Sequence, residues 1–97
     1  MTTRAVQIAS RVGLHARPAA LFTPAAAAAG VPVTIAPAGG APVDASSILM
    51  VMSLGLGHGA EVVLAAEGDG ADAVLDALAA MLATDLDAAD APAGGRA

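Results

Sequence analysis

The stretch VPVTIAPAGGAPVD, residues 31–44, holds two extended segments around a turn, and its reading decides how the rest of the chain is organised. Val31, Val33 and Ile35 fall on one side of an alternating run, the period of a half-buried strand. PAGG (37–40) supplies turn residues, and APVD (41–44) reads as a short returning strand. Pro32 has no N–H to give to a ladder, which predicts that the longer of the two strands lies at a sheet edge.

Outward from this hairpin, strands and helices alternate. TTRAVQIAS (2–10) places Val6 and Ile8 on one face and Ala5, Gln7 and Ala9 on the other, so a first strand is expected over 3–9. HARPAALFTPAAAAAG (15–30) fits a helix with His15 at or just before its N-cap, Pro18 tolerated in the first turn and Gly30 as a stop. Pro24 conflicts with it, because its ring crowds the Ala20 carbonyl and it has no N–H; a kink or an early end is expected there. Beyond the hairpin, SSILMVMSLGL (46–56) is a short helix capped by Ser46 or Ser47. AEVVLAAEG (60–68) is a strand with Val62 and Leu64 facing in. ADAVLDALAAMLA (71–83) is the clearest helix: Val74, Leu75, Leu78, Met81 and Leu82 share one face, and Asp72 and Asp76 lie on the wet one. The order is β-α-β-β-α-β-α, an α+β arrangement of helices layered on an antiparallel sheet. Residues 1–86 form one domain, and DAADAPAGGRA (87–97) reads as a flexible C-terminal tail.

Composition narrows what such a domain can do. A 97-residue chain buries one core and has no room for a separate cofactor domain. Its 57% hydrophobic content owes much to 28 alanines, and with one Phe and no Trp or Tyr the core must come from Val, Leu, Ile and Met. Nine acidic residues stand against four arginines and no lysine, too few cations to neutralise a phosphate backbone, so nucleic acid is excluded as a partner. The absence of cysteine removes disulfides, thiolate metal ligands and thiol nucleophiles together. No apolar run approaches the roughly 20 residues that span a bilayer, and the expectation is a cytoplasmic protein without membrane insertion.

The chemistry-bearing residues gather in RVGLHARPAA (11–20). Backbone N–H groups in the first turn of a helix have no partners within it, and the helix dipole adds roughly half a positive charge at that end. Arg17 adds a planar fork that suits phosphate oxygens. An imidazole that is largely neutral near pH 7, set beside such a receptor, is what a phosphoryl acceptor requires. Local chemistry leaves a second reading open, in which His15 is a surface imidazole and Arg17 a solvated charge. A metal centre has less support: His58, in GLGHGAE, is the sole other histidine and has no acidic or cysteine ligand at an established spacing, so it reads as a turn residue. A hydrolase with His15 as general base lacks an assignable nucleophile and orienting carboxylate.

GLHARPAA resembles the active-site signature of the HPr family, the histidine phosphocarriers of the bacterial phosphoenolpyruvate-dependent sugar phosphotransferase system. SSILMVMSLGL followed by GAEVVLAAEG resembles that family's regulatory serine, short helix and last strand, and the likeness spans residues 3 to about 85. The resemblance implies an open-faced β-sandwich, a four-stranded antiparallel sheet covered on one face by three helices. It implies that His15 is phosphorylated on Nδ1 by enzyme I and passes the phosphoryl group to IIA domains of sugar permeases, while Arg17 and the backbone N–H groups of Ala16 and Arg17 hold its charge. The protein is then a monomeric, stoichiometric carrier and not an enzyme, with no cofactor and no metal.

Helical spacing groups Ile48, Leu49 and Met52 in an apolar strip and leaves Val51 and Leu54 better placed for the core, though it permits all five to be core; the resemblance implies that the first three, with Phe22, form a partner-binding surface. Ser47 matches the serine that a dedicated kinase phosphorylates in many relatives, where it lowers carrier activity; it is equally a plain N-cap. A regulatory role through a serine kinase or a transcription regulator, a nitrogen-pathway relay and an HPr-like component of a dihydroxyacetone kinase system are the alternatives. The sequence departs from the family in having no lysine near the site: Pro24, Ala28 and Met50 stand there instead, so docking is expected to rest on apolar contact and on Arg17, assisted by Arg11.

Overall fold

A computed structural model describes residues 1–11, 13, 14 and 16–84. Its elements are β1 (Thr2–Gln7), α1 (Ala16–Ala27), β2 (Val33–Pro37), β3 (Val43–Asp44), α2 (Ile48–Ser53), β4 (Glu61–Ala66) and α3 (Ala71–Leu82), the order expected from the sequence. The tail expected over 87–97 lies outside the described residues.

The four strands form one antiparallel sheet in the order β1-β4-β2-β3. Register follows the apolar alternation, since a slip by one residue would turn every buried side chain outward. Val6 faces Val62, Arg4 faces Leu64, and Ile35 faces Leu64 from the other side. Ile8, Val33, Ile35, Val62, Leu64 and Ala66 are thereby buried under the helices. The opposite face carries Thr3, Ala5, Gln7, Thr34, Ala36, Glu61, Val63 and Ala65, all exposed or half-buried and small or polar for the most part. This is an open-faced sandwich, and it fits a sequence poor in large apolar residues, because a second covered face would need a second set.

β2 corrects the expectation drawn from Pro32. It is an interior strand, paired with β4 on one side and β3 on the other. Pro32 lies just before the ladder, which begins at Val33, so its missing N–H removes no sheet bond. The PAGG turn is closed by Gly40 N–H donating to Pro37 O at 2.8 Å, and Ala45 N–H donates to Val33 O at 3.0 Å as the returning strand leaves.

Pro24 does not end α1. The helix continues to Ala27, and Ala28 N–H donates to Pro24 O at 3.0 Å. The bond that proline cannot make is the one to Ala20, which lies on the exposed side where water can take its carbonyl. On the buried side, Thr23 Oγ1 donates to Ala19 O at 2.9 Å, giving this hydroxyl a partner within the core.

α3 buries Ala71, Leu75, Leu78 and Leu82, and its wet face does more than meet solvent. Arg4 of β1 reaches across to it, with Nε donating to Asp76 Oδ1 at 2.8 Å and Nη2 to Asp72 Oδ1 at 3.2 Å. The fork ties the edge strand to the last helix, and being exposed it weakens as salt rises. Among the described residues no helix is long and apolar enough to cross a membrane.

Candidate functional site

His15 lies outside the described residues, but the chain on both sides of it is placed. Before it, Leu14 is fully buried and donates its N–H to Leu56 O at 2.9 Å. After it, α1 starts at Ala16, so the N–H groups of Ala16 and Arg17 belong to a first turn without intrahelical partners. Arg17 is exposed in that turn, and Pro18, which has no N–H to leave unsatisfied, is buried beneath it. The expected capping of α1 by His15 falls on the undescribed residue.

The segment leading into the site rests on the loop between α2 and β4. Ile8 N–H donates to Ala60 O at 2.9 Å, and Gly59 N–H returns a bond to Ile8 O at 2.8 Å. Ser10 O closes a turn by accepting from Gly13 N–H at 3.0 Å. Gly13 has φ +76°, and a Cβ built on it would stand 2.3 Å from Leu56 O and 2.7 Å from Gly57 Cα. A side chain here has neither the backbone conformation nor the space it needs. Ala9 N–H donates to Leu82 O at 2.9 Å, joining the same segment to the end of α3.

His58 sits in the turn that the sequence assigns to it, with a contact that the sequence does not reveal. Its Nδ1 is 3.1 Å from Ser10 O, and because a carbonyl can only accept, Nδ1 carries the proton. Ser10 is buried, and its hydroxyl has no hydrogen-bond partner among the described residues.

The expected docking residues divide. Ile48, Leu49 and Met52 are exposed, Leu49 at 79% and the others near 40%, while Val51 is fully buried and Leu54 partly so. Met50 and Leu21 are also exposed, and sequence reasoning did not place them with this group. Phe22 contradicts the expectation: it is fully buried and is the largest side chain of the core. Its phase explains this, because Pro18, Ala19, Phe22, Thr23 and Ala26 form the single buried stripe of α1 at helical spacing. That signal is present in the sequence, but alanines on every face of the helix give it little contrast.

At the head of α2 the cap is Ser47 and not Ser46. Ser47 has extended backbone angles, φ −99° and ψ 111°, and its hydroxyl accepts from Met50 N–H at 3.3 Å. Ser46 turns back instead, its hydroxyl and its N–H both donating to Asp44 Oδ1 at 2.7 and 2.9 Å. Those two bonds, the hydroxyl's first, hold the Asp44 carboxyl below its usual pKa. The stabilisation they give is present at neutral pH and is lost as pH falls through that lowered value. Removing the cap with Ser47→Ala is expected to cost about 0.5–1 kcal/mol, read as a fall of roughly 3–8 °C in Tm by calorimetry; an unchanged Tm refutes a stabilising cap.

The geometry has known counterparts. The family described as PTS HPr component phosphorylation site matches residues 2–84. The phosphocarrier protein HPr of Streptomyces coelicolor is 51% identical over 87 residues, spanning 90% of this chain and 94% of that one. The crystal structure of a phosphocarrier protein HPr from Bacillus anthracis matches with a TM-score of 0.79 at 38% identity, covering 84% of this chain and 95% of that chain. An HPr structure from Thermoanaerobacter tengcongensis matches with a TM-score of 0.82 at 34% identity, covering 90% and 97%.

Proposed function

This chain belongs to the HPr family of phosphocarriers of the phosphotransferase system, and on that premise we propose that His15 is the residue that carries its phosphoryl group. The observation that supports the reading most directly is the start of α1 at Ala16, immediately after His15, with Arg17 exposed in the first turn. In this reading phosphorylated enzyme I, charged from phosphoenolpyruvate, is the donor. The Nδ1 lone pair of His15 forms a new N–P bond while the donor's bond to phosphorus breaks. Charge spread over the equatorial oxygens is met by the Ala16 and Arg17 N–H groups, the positive end of the helix dipole and the Arg17 guanidinium. The protein supplies position and field and needs no base of its own. Transfer to the IIA domain of a sugar permease repeats the step with the carrier as donor.

Partners in this reading dock on α2, where Ile48, Leu49 and Met52 offer an apolar surface. With no lysine in the chain, contact area contributes more to recognition than long-range attraction does. Ser47 is the candidate regulatory site: a phosphate there would place a dianion at the head of the docking helix and repel acidic partners.

The test is incubation with phosphoenolpyruvate, magnesium and enzyme I, followed by mass spectrometry. One phosphate is expected, labile to acid, and it is lost completely in His15→Ala. A gain that survives in the variant places the acceptor elsewhere and overturns the assignment.

A further inference from the structure

We infer that His58 is a positioning residue for phosphoryl acceptance, acting through the backbone carbonyl of Ser10; the inference rests on the carrier reading of His15. The segment from Ile8 to Leu14 is secured to the α2–β4 loop at both ends by backbone bonds, Ile8 with Gly59 and Ala60, and Leu14 with Leu56. Between these ends lies the Ser10–Gly13 turn, whose closing carbonyl also accepts the imidazole N–H of His58 at 3.1 Å. Ser10 is buried, His58 is an exposed turn residue, and the contact between them is half-buried. The ring is itself well placed to hold it, because the adjacent Gly59 is bonded to Ile8 of the same segment. His58 thus joins, by a side chain, the middle of the segment that delivers His15 to the loop that supports its ends.

Loss of the imidazole leaves Ser10 O with the Gly13 N–H alone and lets the turn shift relative to α1. Since transfer depends on placing one ring nitrogen within reach of phosphorus beside the first-turn N–H groups, a looser approach lowers the rate of acceptance. A modest misplacement of the reacting nitrogen is expected to slow acceptance on the order of three- to tenfold.

The experiment treats the full chain with phosphoramidate, a small phosphoryl donor that needs no docking surface, and follows phosphohistidine formation at His15 by phosphorus NMR. His58→Ala and His58→Gln are expected to slow by about three- to tenfold. His58→Asn is expected to stay within about twofold of the parent, because its amide N–H lies where imidazole Nδ1–H was, whereas that of glutamine lies nearer the Nε2 position. Circular dichroism establishes that each variant is folded. Equal rates in all four proteins overturn the inference, as does a loss in His58→Ala that His58→Asn shares. If the parent itself forms no phosphohistidine at His15, the carrier reading falls and takes this inference with it; a labelled parent with unresponsive variants refutes the role of His58 alone.

Discussion

Gly13→Ala lowers the melting temperature by roughly 10–25 °C and slows phosphoryl acceptance with it. Two costs add at this position. The left-handed backbone, φ +76°, costs an alanine about 1–2 kcal/mol. The new Cβ also meets Leu56 O and Gly57 Cα at 2.3 and 2.7 Å, and because both are backbone atoms, relief requires the loop itself to move. A total of about 2–4 kcal/mol is a large share of the stability of a small domain. Gly30 provides the control, since it has φ +85° and a Cβ placed on it would meet nothing within 4 Å. Gly30→Ala therefore shows the backbone cost alone, about 1–2 kcal/mol. Thermal melts of the two variants separate the terms, and a Gly13→Ala loss no larger than that of Gly30→Ala removes the argument from close approach. The movement that relieves the clash also strains the bond from Leu14 N–H to Leu56 O, one residue before His15, so carrier activity falls even in the folded fraction.

The importance of Gly13 depends on a loop more than 40 positions away, which is the kind of fact a single sequence conceals. Elements with strong periodicity were legible: β4 and α3 show clean alternation and a clean helical stripe, and both form with the expected faces buried. Elsewhere the local chemistry is read correctly and its consequence depends on position in the fold. Pro32 does lack a ladder donor, but it stands one residue outside the ladder. Pro24 does interrupt a helix bond, but on the side where water can replace it. His58 does sit in a turn, and only the fold brings Ser10 O within 3.1 Å of its ring. The candidate site's own residues are adjacent in sequence and the helix start at Ala16 is local, whereas the loop that supports the approach to it comes from another part of the chain.

Phe22→Ala unfolds a large part of the population at physiological temperature, and Leu49→Ala leaves the fold intact while weakening docking. Phe22 is fully buried and is the chain's one aromatic residue, so its removal leaves a cavity that alanine-rich neighbours cannot fill. The expected cost is about 3–5 kcal/mol, a fall in Tm of roughly 15–30 °C. Leu49 is 79% exposed, and truncating it should change stability by no more than about 0.5 kcal/mol. Its effect belongs to the partner: if α2 is the docking surface, the KM for enzyme I rises by about tenfold, the scale of one apolar anchor, with kcat little changed. The two variants thus distinguish a core residue from a surface one by different instruments, calorimetry for the first and steady-state kinetics for the second. A Phe22→Ala protein that melts like the parent and loses only affinity would return Phe22 to the docking surface. A Leu49→Ala protein with an unchanged KM moves the partner contact off α2, leaving exposed Leu21 on α1 as the next apolar position to truncate.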